Sequence, residues 1–227
     1  MKLQQMILLS LLLIGLGSQA QKISKPTISD TIKVNVYADN WFELYVNGEL
    51  VAVDSIAFIP HNVVSVDVLP KYPMTIAAMA KDNADTKTGL EYANTNIGDG
   101  GFILKFGDGT VTNAKWKVKK ISWGPLKGDV KNPKVVNIAL PQSWYAIDFD
   151  DRSWKYAREY KESSVRPKSP FYENDFIDAK FIWSDDLELD NTVLFRYTVK
   201  RSPDGKVRKD FSSINNQVPS KRPKKKR

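Results

Sequence analysis

Residues 41–53 read Trp-Phe-Glu-Leu-Tyr-Val-Asn-Gly-Glu-Leu-Val-Ala-Val, and the pattern of this stretch decides the fold class. Asn47-Gly48 is the pair that a two-residue type I′ turn favours, because both central residues need positive φ, and apolar alternation flanks it on either side. The stretch reads as a β-hairpin. With those two residues as the turn, Val46 faces Glu49, Leu44 faces Val51 and Phe42 faces Val53. Phe42, Leu44, Val51 and Val53 then share one face. The opposite face carries Trp41, Glu43, Tyr45, Leu50 and Ala52, a mixture suited to half-burial under a further layer or to a binding surface.

On either side of the hairpin the same period of two recurs. Val34 and Val36 alternate with Lys33, Asn35 and Tyr37, giving a strand that leads into the hairpin. Val64, Val66 and Val68 alternate with Ser65 and Asp67 until Pro70 and Pro73 stop the ladder. Met74 to Ala80 is apolar almost throughout, as a central strand covered on both faces would be. Phe102, Leu104 and Phe106 precede Gly107-Asp108-Gly109, which reads as the turn of a second hairpin reaching Val111 and then Trp116-Lys117-Val118. Asp148 to Trp154 reads as a turn entering one short helix, with Asp150 or Asp151 as N-cap. Phe181-Ile182-Trp183 and Val193 to Val199 supply two late strands, the second with Val193, Phe195, Tyr197 and Val199 on one face. Many short strands parted by Gly, Pro, Asn and Asp turns predict an all-β antiparallel sandwich with at most one or two short helices.

Length and composition set the surroundings of that sandwich. A chain of 227 residues with 42% hydrophobic content supports one principal domain. Lys2, the apolar run from Met6 to Leu16 and the small residues Ser18 and Ala20 form a signal-peptide pattern, with cleavage expected before Gln21. The run falls short of the ~20 residues that a membrane-spanning helix needs. The expected organisation is a signal peptide over 1–20, a linker over 21–32, the sandwich over 33–201 and a flexible basic tail over 202–227. The mature protein is expected to be secreted or periplasmic, with no transmembrane segment after cleavage.

The absence of cysteine excludes disulfides, thiolate metal sites and cysteine nucleophiles, and suits bacterial export. Of the net charge of +8, six positive charges sit in Lys221, Arg222, Lys224, Lys225, Lys226 and Arg227. The body is therefore near neutral, which argues against specific nucleic-acid binding and leaves the tail a weak contact with an anionic surface. The single histidine, His61, lies between Pro60 and Asn62, so histidine triads and histidine metal sites lack partners. No Gly-rich phosphate loop runs from a strand into a helix. Asp148, Asp150, Asp151, Asp185 and Asp186 offer the carboxylate pairs of glycosidase chemistry, but caps and turns explain them more simply.

Ala38-Asp39-Asn40-Trp41-Phe42-Glu43-Leu44-Tyr45-Val46-Asn47-Gly48 resembles the polar pair, aromatic, alternating strand and Asn-Gly turn of galactose-binding-like jelly rolls. Such domains accompany glycoside hydrolases, among them α-L-rhamnosidases and β-galactosidases. Asp108-Gly109-Thr110 with Trp116-Lys117-Val118, the Asp148 to Trp154 segment, and Phe181-Ile182-Trp183 ahead of Phe195-Arg196 are similar to later blocks of those domains. The resemblance covers roughly residues 34 to 200. Those enzymes carry a separate catalytic domain, so the resemblance implies binding rather than hydrolysis.

The resemblance also implies that the strand ending at Lys81 lies beside the one starting at Trp41, collecting Asp39 and Asn40 with Asp82, Asn83 and Asp85 at one sheet end. These are the expected ligand-binding residues. The long segment from Asp82 to Gly101 also carries Glu91, Asn94, Asn96 and Asp99. Oxygen ligands of this kind suit calcium, which galactose-binding-like folds often hold, and Asp82, Asp85 and Asp99 are the expected metal ligands, although Ala84 breaks EF-hand spacing. Trp144-Tyr145 is either a platform on which the C–H face of a sugar would stack or packing under its loop, whereas Trp116, Trp154 and Trp183 are expected in the core. The expected function is an exported, non-catalytic module that binds carbohydrate or another polyhydroxylated ligand. The alternatives are a structural or adhesive envelope protein, and a glycoside hydrolase.

Overall fold

Strand alternation produces two antiparallel sheets in the computed structural model, which describes residues 25–55 and 63–211. The expected signal peptide, the loop holding His61 and the Lys221 to Arg227 tail lie outside the described residues. The first sheet holds β1 (Ile32–Asp39), β4 (Val63–Val68), β6 (Gly101–Phe106), β10 (Arg158–Tyr160) and β11 (Phe181–Trp183), in the order β10-β11-β6-β1-β4. The second holds β2 (Trp41–Val46), β3 (Glu49–Val53), β5 (Met74–Lys81), β7 (Lys117–Trp123), β8 (Val136–Asn137) and β12 (Asp190–Val199). Its order is β3-β2-β5-β12-β7-β8, and β9 (Lys155–Tyr156) pairs with β7. With α1 (Glu162–Val165) and α2 (Ser169–Tyr172) as the α-helices among the described residues, the fold is the all-β sandwich that the alternation predicts.

The inner faces meet in one core. Val34, Val36 and Ala38 of β1, Phe102, Leu104 and Phe106 of β6, Ile76, Ala78 and Ala80 of β5, and Val193 and Phe195 of β12 interdigitate there. Each buried Val, Leu, Ile or Phe contributes about 1.5–3 kcal/mol relative to exposure. Trp116 and Trp183 are fully buried in this core, and Trp154 is buried on the outer side of the second sheet. Both outer faces are covered as well. Tyr37 and Ile103 pack outward against Val165 of α1, Phe171 of α2 and Phe176, while Ala77, Met79 and Leu194 pack outward against Trp144 and Trp154. Cover on both faces explains why β1, β5 and β6 are buried along almost their whole length and why β5 lacks alternation in sequence.

The hairpin turn forms as expected, with positive φ at Asn47 (51°) and Gly48 (84°). Asn47 also holds the turn to β5, accepting from the Thr75 N–H at 2.8 Å and donating to the Lys71 carbonyl at 2.9 Å. The register departs from the expected one beyond the first pairs. Val46 faces Glu49 and Tyr45 faces Leu50, but a bulge leaves Val51 unpaired, so Leu44 faces Ala52 and Glu43 faces Val53. Phe42 and Leu44 remain inward, Val51 and Ala52 pack at the margin of the core, and Val53 turns to solvent.

Two further expectations are corrected. The segment from Asp148 to Trp154 is a pair of turns rather than a helix. Asp150 closes its own turn by accepting the Arg152 N–H, and Asp151 reaches Arg196 instead of capping a helix. Residues 102–118 do not make a hairpin either. After an isolated bridge from Lys105 to Val111 the chain crosses to the second sheet, because Trp116 is drawn into the inter-sheet core and β7 pairs with β12.

Candidate functional site

The chain changes sheets between β1 and β2, and that crossing builds one end of the sandwich. Asp39 pairs with Gly101 at the end of β1, Trp41 pairs with Lys81 at the start of β2, and Asn40 lies between them. The Asn40 N–H donates to the Lys81 carbonyl at 2.8 Å, its Nδ2 donates to Asp39 Oδ1 at 2.8 Å, and its Oδ1 accepts the Asn83 N–H at 2.7 Å. This juxtaposition of Asp39, Asn40, Asp82 and Asn83 is the one expected from the sequence. The Asp39–Asn40 peptide is cis.

Residues 82–100 leave β5 and return to β6 across this end. Glu91 and Asn96 close a tight turn, in which the Glu91 N–H donates to the Asn96 carbonyl at 2.8 Å. Tyr92, Ala93 and Asn94 inside it all have left-handed backbone, which costs on the order of 1 kcal/mol or more for each non-glycine residue. The turn leaves Tyr92 61% exposed, among the residues that line a cleft of about 470 Å³. Asp39, Asn40, Glu91, Gly98 and Asp99 line the cleft from the strand ends and the loop, and Arg166, Lys168 and Glu188 close its other side.

The electrostatics of the cleft are set by burial. Asp39 is 4% exposed, and burial, followed by the nearby Asp99 and Glu91 carboxyls, pushes its carboxyl up to about 7. Lys168 and Arg166 oppose that rise. Asp82 lies behind Gly98 of the cleft wall, with both its oxygens buried. Burial first, and the Glu91 side chain second, hold Asp82 well above the usual carboxylate range, with the Asn83 backbone opposing. Gly98, in the cleft wall with Glu91, packs against both carboxyls. A Cβ at that position would stand 2.3 Å from Asp82 Oδ2 and 2.8 Å from Glu91 Cδ.

The other expected site residues lie elsewhere or are already engaged. Asp85 is exposed and caps its own turn, accepting the Lys87 N–H at 2.8 Å and the Thr88 N–H at 3.0 Å, which holds its carboxyl below the usual range. Asp99 pairs with Arg166 at 2.9 Å. Among the described residues, no group of three or more His, Cys, Asp or Glu side chains is arranged to hold a metal ion. Trp144 is buried edge-on against Tyr45, and Tyr145 stacks on the same ring at 4.4 Å. Trp144 and the half-buried Tyr145 help to cover the second sheet and do not line the cleft.

Sequence reasoning did not single out Tyr92, Gly98, Arg166, Lys168 or Glu188. The length of the 82–101 loop was a signal for the first two. Nothing in the pattern around Arg166 distinguishes it from a surface arginine. Comparison with protein-family models, curated proteins and solved structures gives no match.

Proposed function

We propose that this protein is an exported, non-catalytic binding module whose cleft takes a carbohydrate or another polyhydroxylated ligand. The observation that carries the reading is the cleft itself, about 470 Å³ in volume, with carboxyl, amide, ammonium and guanidinium groups around it and the exposed Tyr92 among its lining residues. A volume of this size suits a small ligand, mixed donors and acceptors match hydroxyl groups that both give and take hydrogen bonds, and an exposed ring offers a face to C–H groups. The resemblance of residues 38–48 to galactose-binding-like domains and the signal-peptide pattern favour the same reading. The basic tail would add a weak contact with anionic surfaces.

A glycan array probed with and without calcium tests it. Binding of defined glycans by the parent, lost in Tyr92→Ala, is the expected result. An array without hits would leave the structural or adhesive alternative.

A second reading has one observation in its favour. Asp39, protonated to about pH 7, has the property that a general acid needs, so hydrolysis of a bound glycoside is the competing activity. Release of reducing sugar from an array-positive glycan by the parent, but not by Asp39→Asn, would move the protein into that class.

A further inference from the structure

We propose that a separate groove at the edge of the second sheet binds the ring of an acidic sugar, a uronic-acid residue whose carboxylate meets Lys119 and Lys120 while its C–H face lies on Trp123. The groove shares no lining residue with the cleft, and the inference stands independently of it.

A break in strand pairing makes the groove. β9 pairs with Lys117 and Val118, β8 pairs with Ser122 and Trp123, and neither pairs with Lys119 or Lys120 between them. Ile138, just after β8, and Trp154, just before β9, line the opening from its two ends. The space is about 260 Å³, room for one monosaccharide ring rather than a chain. Val118 and Trp154 in its lining are buried, whereas Trp123 is half-buried and Ile138 is 37% exposed. An indole and an aliphatic side chain left at the wall of a groove give the C–H face of a sugar a surface to pack on.

The polar groups of the groove choose the charge of the ligand. Lys120 Nζ pairs with Asp190 Oδ1 at 2.9 Å and lies over the Trp123 ring at 5.1 Å. Asp190 is 2% exposed, and its other oxygen accepts from Ser184 Oγ at 2.7 Å and from the Asp186 N–H at 3.1 Å. Its charge answers that of Lys120 and fixes the ammonium beside the indole. Lys155 is answered in turn by Asp185 at 2.6 Å. Lys119 is left over: it lines the groove, it is exposed, and it pairs with none of the described carboxylates.

One uncompensated ammonium, next to a second ammonium with N–H donors to spare, is the complement of a single carboxylate. A neutral sugar would leave Lys119 unanswered. A polyanion without a ring would leave the Trp123 and Ile138 surface in water.

Isothermal titration at low salt with trigalacturonate, its fully methyl-esterified form and hexaglutamate separates these cases. Trigalacturonate should bind about tenfold or more tighter than either of the others, with a change in tryptophan emission and an affinity that falls as salt is added. Lys119→Gln should bring trigalacturonate down to the affinity of its ester while retaining the parent melting midpoint, and Ile138→Asp should weaken both sugars. Tyr92→Ala, in the cleft, should leave both unchanged. Equal affinity of the parent for the trimer and its ester would overturn selection of an acid. Hexaglutamate binding as tightly as the trimer would overturn the ring requirement and make the groove a site for an acidic peptide. Loss of trimer binding in Tyr92→Ala would assign the sugar to the cleft instead. No binding of the trimer by the parent would overturn the proposal while leaving the cleft to its own glycan-array test.

Discussion

Arg196 donates its Nε–H to Asp151 Oδ2 at 3.0 Å and its Nη1–H to the Trp144 carbonyl at 2.6 Å, from a position only 2% exposed in the middle of β12. The guanidinium also lies over the Phe149 ring at 5.2 Å. One buried cation thus ties three points of the irregular 144–151 segment to the second sheet. Breaking a buried charged pair by removing one partner costs about 3–5 kcal/mol. Arg196→Leu should cost about 3 kcal/mol, since Asp151 keeps some access to water. Chemical denaturation would measure the loss, and tryptophan emission should shift to the red as Trp144 and Trp154 become exposed. An unchanged midpoint would mean that the segment is held by its apolar contacts alone.

The bulged hairpin register makes an unequal pair of predictions. Leu44 is fully buried between the sheets, so Leu44→Ala should cost about 2–5 kcal/mol. Val53, 39% exposed, should tolerate alanine within about 0.5 kcal/mol. In the unbulged register Val53 would share the core face, and comparable losses in the two variants would restore it.

Two glycines separate backbone strain from collision. Gly48 has φ of 84° with nothing within 4 Å of an added Cβ, so Gly48→Ala should lose about 1 kcal/mol through its left-handed conformation alone. At Gly98 the added carbon would meet the Asp82 carboxyl at 2.3 Å. Gly98→Ala should therefore cost about 1–3 kcal/mol by overpacking and should also weaken glycan binding. Thermal melts of both variants, with array binding of each, separate the two mechanisms, and full binding by Gly98→Ala would detach the loop wall from recognition.

Stability should fall as the pH rises toward neutrality. The Asp39 carboxyl sits at about 7 in the folded protein against an ordinary value of 3.8, through burial first and then Asp99 and Glu91, with Lys168 and Arg166 opposing. The folded state holds this proton more tightly than the unfolded chain. Its stabilising contribution is complete below 3.8 and is lost as the pH rises through about 7. Three units correspond to at most about 4 kcal/mol. Asp82 acts in the same direction. Asp150, Asp175, Asp185 and Asp204 are held below the usual range and titrate at more acid pH. The midpoint of unfolding should be higher near pH 5.5 than near pH 8, and Asp39→Asn should flatten the difference. A parent profile level across that interval would place Asp39 in water.

The sandwich was legible because alternation of Val34 with Val36, Phe42 with Leu44 and Val193 with Phe195 reports which face of a strand is buried. The Asn47-Gly48 turn was legible because its positive φ values have few chemical solutions. The Val51 bulge was not, since an extra residue leaves apolar alternation intact on one strand and shows only in the pairing. For Trp144 and Tyr145 the sequence left a sugar platform and packing under the loop both open, because aromatic residues in a loop look the same in either role, and they pack on the second sheet. Asp39, Asn40, Asp82 and Asn83 were expected together, with Asp85, only because a resemblance implied the β2–β5 pairing, whereas Arg166 and Lys168 come from a distant part of the chain and carry no local signature.

The unpaired Val51 has a consequence for the behaviour of many molecules together. Strand β3 forms the margin of the second sheet, and with Leu50 and Val53 exposed it offers the apolar ribbon from which strand-by-strand polymerisation would start. An extra residue in mid-strand interrupts the regular spacing of free N–H and C=O groups and sharpens the local twist, so a second straight chain finds no matching row. The irregularity that defeats prediction of the register is also of the kind that works against pairing of an edge strand with a second copy.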